Sequence, residues 1–524
     1  MLFFQLIVFY SSFLCSNAYK ILLFNPKFGH SHVNFMSQIT KILVSAGHEV
    51  TVISSNIDDS LNNPYYIPDK IYYTDPHPNM IKMANNPTIV KYVWNAQKSI
   101  FGPRKFLMAF IEAIRSQAIS IINDKKLENF IKKQKFDVAI AETMHHYMFG
   151  LFKHWEIKTT IVTTSSTIFD PFYPMFGIPF PTSYVPSAVL GFSDKMSYKE
   201  RAINIMTYLY MTYFSGWFSR YAMLEDIFEE KFGAGFYNAY KIMTNASFFF
   251  INTNPFLDIP TPKTPKMIEI SGIGIPKPKP LNKEFNEILN RRNKTILISF
   301  GSVAKSTYMD QEMKDGILRT IQSFPNITFI WKYETPEDGH GSGIENLVLS
   351  KWVPQNDLLN DERLTLFITH GGMGSTTEVA FSKVPALAIP VFGDQRRNGK
   401  LLERLEIGQV IEKEILRDSK RLSKKIFEVL NNKKYKINSI ITAEMLQNRP
   451  ISSKELLLKH VEFACKFGQL PRLDLASKDM GVIEYYNLDI TIPFISACFL
   501  LIYTLIKITS KVVSKFFFKK EKKD

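Results

Sequence analysis

The sequence predicts an α/β protein with parallel, doubly wound sheets, divided into two units and followed by one apolar helix. Three observations predict it. Strand-like and helix-like segments alternate from residue 19, the alternation pauses at a proline-rich stretch and then restarts, and a long uncharged run stands near the C-terminus.

Leu2 to Leu14 is almost wholly apolar, and Ser16-Asn17-Ala18 offers small residues for cleavage, so residues 1–18 read as a secretory signal peptide. Tyr19 to Phe24 reads as a buried strand, broken by Asn25-Pro26 and Gly29. Apolar periodicity predicts a helix from about Val33 to Val44, and His48 to Ser54 is strand-like again. That order calls for parallel pairing. Phe136 to Ala141 and Thr159 to Thr164 are further short strands, while residues 55–130 and 170–240 read as aromatic-rich helices and loops over a substrate cleft. Proline recurs at 260, 262, 265, 276, 278 and 280, a stiff connection between two halves. The first unit is drawn as 19–275, the linker as 276–290 and the second unit as 291–466. Gly272-Ile-Gly274 lacks the third glycine of a dinucleotide fingerprint and is set aside. Beyond the linker, Thr295 to Phe300, Thr328 to Trp331, Leu364 to Thr369 and Pro385 to Pro390 are strands, and 310–323 is a helix.

After a juxtamembrane stretch, 467–487, Ile490 to Ile506 gives 17 residues without a charge; Leu488 and Ile508 extend it to a span drawn as 488–508. The tail, 509–524, and Lys507 before it are strongly basic, which marks the cytoplasmic flank. Signal and span together predict a single-pass type I protein with its body in the lumen. Lys520 and Lys522 resemble an endoplasmic-reticulum retrieval signal. From Lys507 onward seven Lys oppose Glu521 and Asp524, so +5 of the net +15 sits in the tail. The remaining +10 is too dilute for a nucleic-acid footprint. With 45% hydrophobic and 22% charged residues, disorder, collagen and a multi-span bundle are excluded. Cys15 lies in the signal and Cys498 in the span, leaving Cys465 alone in the body without a disulfide partner. Asn245, Asn293 and Asn326 head glycosylation sequons.

The chemistry concentrates between Phe367 and Gln395. A strand opens onto His370-Gly-Gly372-Met-Gly374-Ser375, which starts a helix. Free backbone N–H groups and the positive helix end suit a diphosphate there, and glycine allows close approach. His370 and Ser375 add donors, Glu378 can accept from a ribose hydroxyl, and Asp394-Gln395 after the next strand can bind sugar hydroxyls.

This stretch, with Phe300-Gly-Ser302, Trp352-Val-Pro-Gln355 and the anchored tail after Tyr485-Tyr486-Asn487, resembles the UDP-glycosyltransferase family over nearly the whole chain. The subtype is similar to the animal, membrane-anchored UDP-glucuronosyltransferases. The resemblance implies two facing Rossmann-like domains of GT-B type, the second holding the UDP-sugar. It implies that Trp352 stacks on uracil, Gln355 binds its edge, and Ser302, His370 and Ser375 hold the diphosphate, with Gly372 and Gly374 in the same loop. It assigns Glu378 to the ribose, and Asp394 and Gln395 to the transferred sugar. Mammalian relatives tend to carry Asn-Gly where this chain has Gly374-Ser375.

Transfer to a hydroxyl needs a base. Lys27-Phe-Gly-His30-Ser-His32 lies in the first β-to-α loop, at the sheet edge where ligands bind. His32 falls at a helix start, whose positive end disfavours imidazolium, so a neutral base is expected. The resemblance places the catalytic histidine at His32; His30 reads as a loop histidine. Glu142, at the carboxyl end of a buried strand, stands where the family has its catalytic carboxylate, usually Asp in mammals. Thr143-Met-His145-His146-Tyr147 departs from the family pattern, leaving His145 and His146 as acceptor-site, structural or metal-binding residues. The chain contains no Asp-x-Asp pair of the kind that holds a diphosphate through a metal. The expectation is an inverting, metal-independent transfer of glucuronosyl from UDP-glucuronate, with no cofactor, to a small lipophilic acceptor. Phe169, Phe172, Tyr173, Phe176 and Phe180 suit such an acceptor or are simply core, and Arg396-Arg397 could pair with the glucuronate carboxylate or stand as a solvated pair. A UDP-glucose donor, a non-catalytic UDP-sugar or lipophile carrier, and homo-oligomerisation stay open.

Overall fold

The structure, a computed structural model, describes residues 18–58, 68–86, 104–216 and 219–520 together with Leu61, Lys91 and Trp94. Residues 1–17 of the signal peptide expected at 1–18, and Lys522 of the retrieval signal, lie outside the described residues.

Two parallel sheets build the body. The first contains β1 (Lys20–Phe24), β2 (Glu49–Ser55), β3 (Lys70–Thr74), β4 (Val138–Glu142), β5 (Thr160–Thr164), β6 (Phe248–Ile251) and β7 (Met267–Glu269). Their spatial order is β3-β2-β1-β4-β5-β6-β7. β1 pairs with β2 on one side and β4 on the other, with Ile21 opposite both Val50 and Val138. β1 and β4 read as continuous apolar runs because helices cover both faces of the sheet. On one face the helix His30–Ser45 presses Phe35, Met36, Ile39 and Leu43 onto Ile21, Leu23, Val52 and Ile140. On the other, Phe149, Phe152 and Phe172 cover Leu22, Phe24 and Phe249.

The second sheet contains β8 (Lys294–Ser299), β9 (Ile327–Lys332), β10 (Leu347–Ser350), β11 (Leu364–Thr369), β12 (Ala386–Ala388) and β13 (Gly408–Val410), in the order β10-β9-β8-β11-β12-β13. In each sheet the chain builds outward from a central strand, then returns to that strand's other side. The switch points lie between β1 and β4 and between β8 and β11, and the crevice at such a point takes ligands.

The units are joined more intimately than a linker at 276–290 implies. Residues Lys283–Leu289 form a helix that buries Phe285, Ile288 and Leu289 in the second core, because apolar spacing outweighs the flanking prolines. β7 falls inside the proline-rich stretch. The boundary at 466 also differs. Helix Ser453–Phe467 crosses back, and Leu457, Val461 and Ala464 close the first unit's core. Trp94 goes the other way. It is fully buried in the second core, edge-on to Phe300 at 5.3 Å, and its indole N–H donates to the Lys305 carbonyl at 3.0 Å. Arg397 of the second unit donates to Asp258 of the first at 2.7 Å, both buried. Helix Leu488–Lys520 stands clear of the body, and Leu488–Lys515 is long and apolar enough to cross a membrane. It extends past the expected end at 508 because Lys507, Lys511 and Lys515 are helix formers spaced among apolar residues.

The Arg397–Asp258 pair yields a stability prediction. Removing one partner strands a buried charge, at a cost of about 3–5 kcal/mol. Arg397→Ala is expected to lower the unfolding midpoint of the detergent-solubilised chain accordingly, as read by chemical denaturation, whereas exposed Lys420→Ala leaves it unchanged.

Candidate active site

The first switch point brings His32 and Glu142 together. Gly29 precedes helix His30–Ser45 with φ +72, a conformation that suits glycine, and a Cβ there would approach the His32 ring at 3.1 Å. That turn sets the first helical turn over the end of β1. Glu142 is the last residue of the neighbouring β4. His32 Nδ1 lies 2.8 Å from both Oε1 and Oε2 of Glu142, although the residues are 110 apart in the chain. Ser165, just past β5, brings its hydroxyl to 2.9 Å of the same nitrogen and donates its backbone N–H to Glu142 Oε1 at 2.8 Å. The His32 side chain is 26% exposed while Glu142 is buried, so the imidazole has one open edge and one held edge.

Burial alone would lower the imidazole pKa. The Glu142 charge and its hydrogen bond, with Asp394 further off, outweigh that, and the net shift is upward from 6.5. For Glu142, burial alone would raise the pKa; His32 and the Ser165 bonds reverse this and carry it below its ordinary 4.5. The helix end alone would lower the His32 pKa; the carboxylate in contact is stronger than a helix terminus and makes the base stronger, with the net shift upward. His30 opens the helix and is exposed. His145 and His146 are core residues. His145 is edge-on to Phe24, His146 Nδ1 is 3.2 Å from the Tyr237 hydroxyl, and burial brings their pKa values to about 4 and about 3. Among the described residues no three His, Cys, Asp or Glu side chains are grouped to hold a metal ion.

The second switch point gathers the residues of the His370 loop. Gly301 follows β8 with φ +82, and a Cβ there would stand 2.7 Å from the His370 ring; at Gly372 it would stand 2.5 Å from His370 Nε2. Both glycines therefore make room for His370, whose pKa burial and the nearby Lys332 lower to about 4, leaving it neutral. Gly372 caps helix Met373–Phe381 with its free N–H end at the loop, Gly374 is exposed, Ser375 lies in the first turn, and Ser302, exposed, follows Gly301 after β8. The Gln355 amide donates to Glu378 and, at 3.3 Å, to Ser375. Burial pushes Glu378 up to about 7 against that bond. Trp352 is 66% exposed beside them, an open aromatic face. Gln395 is buried, and its amide oxygen already accepts from the backbone N–H groups of Val391 and Phe392. Asp394 accepts from Asn398 at 3.0 Å and from Ser166 of the first unit at 2.9 Å, so the two sites meet.

Three nearby residues had no sequence signal: Ser165, Ser166 and Lys332. Lys332 ends β9 and donates to the Gly301 carbonyl at 2.8 Å, between the loops of Gly301 and His370. Other expectations change. Arg397 is buried and committed to Asp258, so it does not offer itself to a sugar carboxylate; Arg396, partly exposed, lies 3.3 Å from Glu412. Phe172, Tyr173, Phe176 and Phe180 are core residues, with Phe176 stacked on Phe249 at 5.4 Å.

Two parallel sheets, with His32 and Glu142 at one switch point and a glycine-rich loop opening a helix at the other, define a GT-B glycosyltransferase fold. The model of the family "UDP-glucoronosyl and UDP-glucosyl transferase" matches residues 20–524, and the chain belongs to that family. It is 27% identical to the putative UDP-glucuronosyltransferase ugt-46 of Caenorhabditis elegans over 91% of this chain and 90% of that one. It is 28% identical to human UDP-glucuronosyltransferase 1A10 over 88% and 86% of the two chains. The crystal structure of the glycotransferase of kitacinnamycin shares the fold, with TM-score 0.57 at 15% identity over 85% of this chain and 98% of that one.

The raised His32 and lowered Glu142 report one interaction seen from two sides. Its stabilisation is complete between the ordinary values 4.5 and 6.5. It is lost at lower pH as Glu142 protonates, and at higher pH as His32 deprotonates through its raised pKa. Glu142→Gln removes the charge, so the His32 titration followed by NMR is expected to move to lower pH. An unmoved titration contradicts the pairing.

Proposed function

We propose that this UDP-glycosyltransferase moves glucuronosyl from UDP-glucuronate to a hydroxyl of a small lipophilic acceptor, in one inverting displacement without a metal ion. The observation that carries the reading is the His32–Glu142 pair at one crevice, linked through Ser165-Ser166 to Asp394 at the other.

In this reading the acceptor hydroxyl donates to His32 Nε2 while Glu142 holds Nδ1. As the oxygen attacks the anomeric carbon its proton passes to Nε2, and the imidazolium forms beside a carboxylate that stabilises it. The bond to the UDP oxygen breaks on the opposite face, which turns an α-linked donor into a β-glycoside. Charge then gathers on the diphosphate. The N-terminus of helix Met373–Phe381, Ser302, Ser375, neutral His370 and the Lys332 ammonium receive it. Trp352 and Gln355 hold the uracil end, Glu378 the ribose, and Asp394 and Gln395 the sugar. Glucuronosyl is favoured because the relatives named above are glucuronosyltransferases; UDP-glucose is the alternative donor. The reading places the body in the endoplasmic-reticulum lumen, anchored by helix Leu488–Lys520, with Asn245, Asn293 and Asn326 exposed for glycans.

Membranes carrying the chain, given UDP-glucuronate or UDP-glucose and a simple phenol, test the proposal. Acceptor-dependent UDP release is expected to survive EDTA, to yield the β-anomer, and to fall on the order of 10²–10⁴-fold in His32→Ala. An unchanged rate in that variant contradicts the base assignment. Lys332→Met is expected to weaken UDP binding while leaving uridine binding unchanged; equal losses contradict its phosphate role. Endoglycosidase-sensitive sugar on Asn326 tests the lumenal orientation, which a non-glycosylated chain from microsomes contradicts.

A further inference from the structure

The loop that follows β8 is held from two directions. Phe300, Gly301 and Ser302 leave the strand at the carboxyl edge of the second sheet, and the chain re-enters a helical turn at Ser306–Tyr308. Its own unit fastens both ends of the loop. The Lys332 ammonium donates to the Gly301 carbonyl at 2.8 Å. The Ser306 hydroxyl accepts from the Trp331 indole at 3.1 Å, and the Thr307 N–H donates to Glu334 at 3.2 Å. Trp331 and Lys332 end β9, and Glu334 follows two residues later, so one neighbouring strand supplies all three fastenings.

The middle of the loop is held from the first unit. Ser302, Val303 and Lys305 are exposed, while Phe300 and Ala304 are buried in one cluster with Trp94. The Trp94 ring meets Phe300 edge-on at 5.3 Å, and its N–H donates to the Lys305 carbonyl at 3.0 Å, 211 residues further along the chain. That carbonyl also accepts from the Tyr308 N–H at 3.1 Å, so one oxygen both opens the helical turn and binds the first unit. Among the described residues, Trp94 is the one side chain from outside 300–310 that hydrogen-bonds to 302–305. Phe300 and Lys305 bracket Ser302, so Trp94 grips the loop on both sides of that serine. A buried indole needs an acceptor for its N–H, and in a close-packed cluster the ring leaves its neighbours no second position. The place of the ring and the shape of the loop therefore fix each other.

We infer that Trp94 is a positioning residue of the donor site: a first-unit side chain that sets the Phe300–Lys305 loop in the shape that receives the diphosphate of the donor nucleotide. The inference rests on the reading that Ser302 and its loop meet that diphosphate. On this account the nucleotide pocket does not belong to the second unit alone. With Trp94 withdrawn, residues 302–305 lose their outside hold and Ser302 its setting. Trp352 and Gln355, carried beyond β10, keep theirs. Seating the first unit on the second thus strengthens the grip on the diphosphate, and by reciprocity a diphosphate in the loop favours the seated arrangement.

Calorimetric binding of UDP and of uridine to the detergent-solubilised full chain tests this, in the wild type, Trp94→Phe, Ser302→Ala and the double variant. Trp94→Phe keeps an aromatic ring in the cluster and removes only the N–H, so the chain still folds. It is expected to weaken UDP binding about 3–10-fold, the range one hydrogen bond supplies, and to leave uridine binding within about twofold. In the double variant the loss of UDP affinity is expected to fall short of the product of the single losses, because both residues act through one loop. A wild type that binds UDP no more tightly than uridine overturns the diphosphate reading, and this inference with it. A wild-type preference for UDP that Trp94→Phe leaves intact overturns the inference and spares that reading. Equal losses of UDP and uridine binding, or single losses that multiply in the double variant, assign Trp94 a structural role only and equally overturn it.

Discussion

The bond between His32 and Glu142 depends on the order in which the first sheet grows. Because β1 has β2 on one side and β4 on the other, the loop after β1 and the end of β4 share one crevice. The chain needs no special motif to join residues 110 positions apart; parallel pairing does it. The electrostatics follow from the distance. A helix terminus is worth about 0.3–1 kcal/mol to a nearby charge. Two opposite charges about 4 Å apart near a protein surface interact by about 4 kcal/mol. A carboxylate in contact with the ring therefore outweighs the helix end and sets the direction of the imidazole shift.

The second sheet repeats the device for a different purpose. Its switch point between β8 and β11 presents a neutral histidine, two glycines and a helix N-terminus, all hydrogen-bond donors or space for them. Burial lowers both imidazoles; the Glu142 charge reverses this for His32, whose pKa is raised, while Lys332 adds to it for His370, whose pKa is lowered. Ser166 donating to Asp394, Trp94 buried in the opposite core and Arg397 bound to Asp258 hold the two edges in register.

Much of this was legible from residue patterns. β1, β2, β4, β5, β8, β9 and β11 are apolar runs bounded by breakers, which is what burial on both faces demands. β12 was legible too, inside Pro385 to Pro390; β3 was not, because its residues alternate weakly at a sheet edge, and β7 and β13 are three residues each, too short to carry a period. His32, Glu142 and the loop at His370 stand at strand ends, where position alone signals chemistry. Ser165, Ser166 and Lys332 stand at strand ends too, but lone serines and a lysine have many surface uses, and their partners lie far along the chain. Arg397 shows the converse: a paired arginine that reads as solvated or sugar-facing is buried against a carboxylate 139 residues away.

The central claim is that a base carried by the first unit reaches a sugar held by the second. A crystal structure of the chain with a non-transferable 2-fluoro analogue of UDP-glucuronate and a phenol measures it directly. The account predicts the phenol oxygen within about 2.6–3.2 Å of His32 Nε2, in line with the anomeric carbon and the UDP oxygen. A donor seated on the His370 loop with its anomeric carbon turned away from His32, or a phenol bound elsewhere, would contradict it.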